Sequence, residues 1–161
     1  MCIRDRVIKE ELNKLGRPHN RITMQDLGNE YREKYGVDVW SKFCVKYAKE
    51  KQWRRVAITG VRTSSEVDYY RNALNQDFIL LCISAEKEKR YERMLKRASE
   101  KDMKTTEEME AQDSRERKLW DLYDKYEETA DYVINNNNSM VELWALIEEF
   151  LEKSKFKQPT Y

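Results

Sequence analysis

The chain has 161 residues, and 31 Lys and Arg against 30 Asp and Glu leave a formal net charge of +1. This length predicts one domain with a real core, and the balanced charge excludes a global attraction to nucleic acid or to a membrane surface. No apolar run approaches the ~18 residues of a membrane span, and no secretion signal is visible. We therefore expect a cytoplasmic protein without nucleic-acid or membrane partners, and its oligomeric state stays open.

The cysteines and the single histidine argue against a metal site. Cys2, Cys44 and Cys82 share no C-x-x-C spacing, and the last two lie within apolar patterns. Such cysteines are typical of buried thiols in a reducing compartment. With His19 as the one histidine, a His/Cys metal centre is not expected.

The domain organisation is predicted to be simple. Residues 1–6 (MCIRDR) do not read as a natural beginning, which predicts a non-native leader and a truncated gene. One domain is expected over residues 7–153, and residues 154–161 are expected to form a flexible tail.

The first third of the chain shows helical spacing. A helix is predicted from Val7 to Leu15, followed by a connector over residues 16–20 that contains a proline. Further helices are predicted from residue 23 to Gly36 and from residue 38 to about residue 51.

Three short apolar runs predict strands at about residues 54–59, 77–83 and 131–135, and each is followed by a helical pattern. This alternation predicts an α/β fold, with a parallel sheet of about three strands, flanking helices and an excess of helix. The second run shows no alternation, which predicts a strand covered on both faces. Ser139 with Glu142 predicts a capping box at the start of the last helix.

The candidate chemistry is anion binding by arginines. Arg62 follows the first predicted strand, where α/β sheets bind ligands, although it could equally be a solvated loop residue. Arg90, Arg93 and Arg97 share one face of the helix after the second strand, beside an apolar face of Tyr91, Met94 and Leu95, which we expect to be buried. With 38% charged residues, such a face can also arise by chance. No G-x-x-x-x-G-K-[ST], G-x-G-x-x-G or G-x-S-x-G motif is present.

Five segments in a particular order carry a family resemblance: Leu15-Gly-Arg-Pro18, Arg21 to Arg32, Ile58-Thr-Gly-Val-Arg62 with Glu66-Val67, Arg90-Tyr-Glu-Arg-Met-Leu-Lys-Arg97, and Ala130-Asp-Tyr-Val-Ile-Asn135 with Ser139. In this order they resemble the P-loop nucleotide kinases and dephospho-coenzyme A kinases over about residues 7–153. The first strand and the phosphate loop of that family have no counterpart here, so the resemblance implies an N-terminally truncated member.

The resemblance implies ATP and Mg²⁺ as cofactors and a small nucleotide-like acceptor. It implies three sets of site residues: Arg62, Arg90 and Arg97 for catalysis, Arg93 and Asn135 for nucleotide binding, and Arg17, Arg21, Gln25, Asn29 and Arg32 for acceptor binding. The arginine helix would act as a mobile lid over ATP. The expected function is therefore that of the C-terminal portion of an ATP-dependent phosphotransferase, with this chain alone inactive. A non-catalytic relative that binds a nucleotide or a protein, and a helical interaction module, are the alternatives.

Overall fold

A computed structural model describes residues 3–97 and 103–154. Over these residues the chain is a helix-rich α/β protein with a two-stranded parallel sheet and flanking helices. It divides into two compact units, unit 1 (Met1–Phe78) and unit 2 (Ile79–Tyr161). The predicted single domain of residues 7–153 spans both units and stays a prediction.

The regular elements of unit 1 in the described residues are all helices, joined by loops. Its elements are α1 (Ile3–Lys14), α2 (Arg21–Tyr35), α3 (Val39–Glu50), α4 (Ser64–Leu74) and a 3-10 turn at Asn75–Asp77. The core lies among the first three helices, where Leu12, Leu27 and Trp40 are fully buried. The indole N–H of Trp40 donates to the carbonyl of Gly28 at 3.1 Å, so the tryptophan satisfies its one polar atom while filling the core.

The prediction of a strand at residues 54–59 is wrong. No strand is assigned there among the described residues, whose two strands pair with each other. A strand needs a neighbouring strand to pair with, and in the described residues β-pairing joins Leu81–Ser84 to Tyr132–Asn135 instead. Val56 and Ile58 pack as loop residues against the core of unit 1. Arg62 therefore follows a loop, and α4 begins directly after it with Thr63 as N-cap and Glu66 completing the capping box.

Unit 2 contains the sheet. Its described elements are β1 (Leu81–Ser84), α5 (Lys87–Arg97), α6 (Thr106–Leu119), a 3-10 turn at Tyr123–Lys125, α7 (Tyr126–Thr129), β2 (Tyr132–Asn135) and α8 (Met140–Lys153). The strands are parallel, with Leu81 opposite Tyr132 and Ser84 opposite Asn135. Both carboxyl ends therefore lie side by side, and the amide of Asn136 donates to the carbonyl of Ser84 at 2.7 Å. Two strands, rather than about three, form the sheet in the described residues.

Burial in unit 2 differs from the predicted pattern. Tyr91 is buried as expected, but Leu95 is 43% exposed and Ile83, on the strand predicted to be covered on both faces, is 53% exposed. Met94 is half-buried. The fully buried positions of unit 2 lie elsewhere, at Met109 on α6 and at Leu122 just before the 3-10 turn.

The ends of the chain are partly described. The predicted leader of residues 1–6 overlaps α1 from Ile3 onwards, and Arg4 is buried. Residues 1–2, 98–102 and 155–161 lie outside the described residues, and with them most of the predicted tail. None of the helices in the described part of the chain is long and apolar enough to cross a membrane.

Candidate functional site

A buried ion pair organises the end of unit 1 where α4 begins. The guanidinium of Arg4 contacts the carboxylate of Glu66 and donates to the carbonyl of Gly60. Glu66 is 1% exposed and Arg4 is 7% exposed. The other carboxylate oxygen of Glu66 accepts from the backbone amide of Arg62 at 2.8 Å. One buried carboxylate therefore fixes α1, the loop and α4 in one arrangement.

Two further arginines lie in the electrostatic neighbourhood of this ion pair. Arg62 is exposed on the loop, and Arg32 is half-buried on α2. The pKa of Arg32 is lowered, first by burial and then by the positive charge of Arg4. The negative charge of Glu66 opposes this shift, and the positive charge of Arg62 adds to it. We call Arg4, Arg32, Arg62 and Glu66 the unit 1 cluster, and its formal charge is +2.

The other acceptor-binding candidates lie along α2 and the connector before it. Asn29 is next to Arg32, with its side-chain oxygen 3.5 Å from a guanidinium nitrogen. Arg17 is held at 2.8 Å by Glu30, and both side chains are exposed. Gln25 is exposed on α2. Arg21 is the first residue of α2, and its side chain lies outside the described part of the structure. The structure thus brings Asn29 and Arg32 together, while Arg17 is paired elsewhere.

In unit 2 a cavity of about 350 Å³ lies at the carboxyl ends of the two strands. Its lining residues are Ile83, Ser84, Ala85, Arg90, Arg93, Met94, Arg97 and Asn136. The three predicted arginines of α5 therefore do share one cavity, at the sheet edge where α/β proteins bind ligands.

Arg93 uses its guanidinium on the turn after β2. It donates to the carbonyl of Asn136 and, at 2.9 Å, to the carbonyl of Asn138. Asn137 ties the same turn to the start of α5, because its side-chain oxygen accepts from the amide of Glu86 at 2.7 Å. Asn135, exposed at the end of β2, accepts from the amide of Asn137 at 3.0 Å. These contacts give Arg93 and Asn135 roles in holding the turn.

Arg90 is paired with a residue that sequence reasoning missed. Its Nη2 lies 2.8 Å from Oδ2 of Asp113 on α6, and the hydroxyl of Tyr91 donates to the same oxygen at 3.1 Å. Burial alone would raise the pKa of Asp113. The hydrogen bond and charge of Arg90, together with hydrogen bonds from Tyr123 and Tyr91, outweigh it, so the pKa is lowered. Arg97 is exposed on the wall of the cavity.

Arg4 and Glu66 were also missed as site residues, although the sequence holds a signal for both. Arg4 lies on the same face of α1 as the buried Ile8 and Glu11. A charge on a buried face needs a partner. Glu66 follows Thr63 at capping-box spacing, which places its carboxylate at the start of α4.

The described residues contain no group of three or more His, Cys, Asp or Glu that could hold a metal ion. The Mg²⁺ that the resemblance implied therefore finds no cluster of protein ligands in this part of the chain.

Several archaeal proteins are similar to this chain. The similar protein of Archaeoglobus fulgidus, named UPF0200/UPF0201 protein, is 31% identical over 149 residues, which are 91% of this chain and 43% of the relative. A UPF0200 protein of Methanoregula boonei is 30% identical over 145 residues, covering 90% of this chain and 78% of the relative. A UPF0200 protein of Thermococcus sibiricus is 26% identical over 155 residues, covering 94% of this chain and 80% of the relative. This chain thus spans less than half of the first relative and about four fifths of the other two.

The comparisons correct the family expected from the sequence. No protein-family model matches the chain. The relatives named above carry neither a kinase nor a P-loop name, and they align with about nine tenths of this chain. The assignment to the P-loop nucleotide and dephospho-coenzyme A kinases is therefore wrong, and the chain belongs to the UPF0200 family.

Proposed function

We propose that this chain binds a small nucleotide-like molecule through its phosphate, as part of an ATP-dependent phosphotransferase. The observation that carries the proposal is the unit 1 cluster, which contains three guanidinium groups but only one carboxylate, that of Glu66. Cys44 and Cys82 are not in disulfide bonds, which suits the cytoplasm as the location.

The charge of the unit 1 cluster favours a multiply charged anion. Guanidinium groups meet phosphate oxygens with two parallel hydrogen bonds, and such charge-assisted bonds are stronger than neutral ones. A phosphate beside Arg32 would also offset the repulsion that, with burial, lowers the pKa of that residue. Arg62, exposed on the loop, is the member of the cluster best placed to meet a ligand arriving from solvent.

Unit 2 is proposed to bind the phosphate chain of the donor, ATP. The cavity beside β1 and β2 is lined by Arg90, Arg93 and Arg97, and it provides positive charge for the phosphate oxygens. Phosphoryl transfer depends mainly on positioning and on stabilising charge spread over several oxygens, which arginines supply. In this proposal Arg90 and Arg97 contact the phosphates, and Arg93 acts by holding the turn that follows β2.

The test of the acceptor site is calorimetric binding of nucleoside monophosphates, each compared with its own nucleoside. We expect the monophosphates to bind more tightly, since a charge-assisted hydrogen bond contributes about 1.5–3 kcal/mol and 1.4 kcal/mol corresponds to a factor of ten. Arg62→Gln and Arg32→Gln should each weaken monophosphate binding by roughly tenfold or more and leave nucleoside binding unchanged.

The matched control is Arg54→Gln, which removes an exposed positive charge from the same unit outside the unit 1 cluster. It should leave binding nearly unchanged. Equal affinity for nucleosides and monophosphates, or equal losses in all three variants, would contradict the acceptor site. Binding of both ATP and monophosphate without formation of ADP would support the non-catalytic alternative instead.

A further inference from the structure

Asp113 lies at the centre of a small polar network on the side of α5 that faces α6. One oxygen, Oδ2, accepts from Arg90 at 2.8 Å and from the hydroxyl of Tyr91 at 3.1 Å. Tyr123 belongs to the same network: burial, then the charge of Asp113 and a hydrogen bond to it, raises the pKa of that tyrosine. Asp113 is half-buried, whereas Arg90 is exposed.

Arg90 is thereby held from two directions while it lines the cavity. Its guanidinium carbon lies 5.7 Å from the ring centre of Tyr91, and Nη2 is bound to Asp113. An arginine side chain loses considerable rotamer freedom when a ligand fixes it, so fixing it beforehand lowers the cost of binding. The tyrosine ring and the carboxylate both act on Arg90 in the ligand-free protein.

We propose that Asp113 is a positioning residue that fixes Arg90 for the phosphate chain of the ligand bound in the unit 2 cavity. This inference rests on the proposed function of that cavity. It assigns a specific task to a carboxylate that lies outside the cavity lining.

The alternative task for Asp113 is competition, in which the carboxylate neutralises Arg90 and must be displaced by phosphate. The geometry favours positioning. A guanidinium has five N–H donors in a planar fork, and the contact with Asp113 is made through Nη2 alone. Arg90 also has a hydrogen bond with Tyr123. Two partners leave further donors of the fork for a second anion, so Asp113 and a phosphate can bind Arg90 at the same time.

The experiment measures the affinity of the full chain for inorganic tripolyphosphate, which carries the phosphate chain without a base. The variants are Arg90→Gln, Asp113→Asn and the double variant. Positioning predicts that each single variant loses roughly tenfold in affinity and that the double variant is no weaker than Arg90→Gln within about twofold, because both changes disable one unit. Asp113→Glu keeps the charge and should restore part of the lost affinity.

The matched control is Asp124→Asn, which breaks a comparable ion pair in the same unit, between Asp124 and Arg117 at 2.8 Å. Its affinity should equal that of the wild type. Circular dichroism of each variant checks that unit 2 is folded. If Asp113→Asn does not fold, the test rests on Asp113→Glu, whose affinity for tripolyphosphate must lie between those of the wild type and Arg90→Gln.

The outcomes separate the inference from the proposed function. If Asp113→Asn, or Asp113→Glu where the first variant does not fold, binds tripolyphosphate at least as tightly as the wild type, positioning is overturned. Binding tighter than that of the wild type favours competition. If the losses of the two single variants simply multiply in the double variant, Asp113 acts independently of Arg90 and the inference also fails. If Arg90→Gln itself loses nothing, the donor site proposed for unit 2 is wrong, and the role of Asp113 falls with it.

Discussion

Replacing Glu66 with Gln removes the one negative charge of the unit 1 cluster while keeping the shape of the side chain. The side-chain carbonyl of the glutamine can still accept a hydrogen bond from the backbone N–H of Arg62, so the local cap of α4 is largely retained. The guanidinium of Arg4, 7% exposed, loses the carboxylate that it contacts. The experiment therefore isolates the charge of a buried ion pair.

The expected cost follows from burial. Breaking a buried ion pair by removing one partner costs about 3–5 kcal/mol, because the remaining charge is left uncompensated in a low-dielectric site. We therefore predict that Glu66→Gln lowers the free energy of unfolding of unit 1 by about 3–5 kcal/mol. Adding Arg4→Met should recover part of this loss, because no buried charge then remains unpaired.

The assay is hydrogen exchange read by mass spectrometry on peptides from α1 and α4, so that unit 1 is followed by itself. The control is Glu30→Gln, which breaks the exposed pair with Arg17 and should cost about 0–1 kcal/mol. If Glu66→Gln accelerates exchange no more than Glu30→Gln does, the ion pair does not hold unit 1 together and the reasoning is refuted.

Two further predictions concern unit 2. Burial acts to raise the pKa of Asp113, but Arg90, Tyr123 and Tyr91 together lower it in the folded state. The stabilising contribution of Asp113 is therefore present above the unfolded pKa of about 3.9 and is lost as pH falls through the lower folded pKa. Unfolding midpoints of the wild type and Asp113→Asn should therefore converge below about pH 4, and a constant difference down to pH 2 would contradict this. Leu122→Ala, at a fully buried site, should cost about 2–5 kcal/mol in urea denaturation, whereas Leu95→Ala, at a position 43% exposed, should cost clearly less; equal costs would show that burial does not set them.

Local signals in the sequence predicted several elements well. The Ser139–Glu142 capping box forms at the start of α8 as expected, because it depends on four neighbouring residues only. The strand predicted at residues 131–135 forms at Tyr132–Asn135, and Tyr91 is buried on the apolar face of α5. Such features are decided by short-range hydrogen bonds and by helical periodicity.

Features that depend on distant partners were not predictable in the same way. An apolar, β-branched run such as residues 54–59 becomes a strand only when a neighbouring strand accepts its hydrogen bonds, and spacing does not reveal whether one exists. Leu95 fits the apolar face of α5, yet its burial depends on what packs over that face.

The candidate sites show the same division. The arginines of α5 were found because they recur on one helix face, and the structure places them on one cavity. Asp113 lies 23 residues after Arg90 and Arg4 lies 62 residues before Glu66. Pairs so distant in sequence carry no periodic signal, although a charge on the apolar stripe of α1 indicates that a partner is needed.

In the proposed function, Arg62 and Arg32 bind the phosphate of a small nucleotide-like ligand. The most direct measurement is NMR of the arginine side chains in the isotope-labelled full chain during titration with a nucleoside monophosphate. We predict saturable shifts of the guanidinium signals of Arg62 and Arg32, none at Arg54, and none for any of the three with the matching nucleoside. Unchanged signals of Arg62 and Arg32 at saturating monophosphate, or shifts as large at Arg54, would contradict the account.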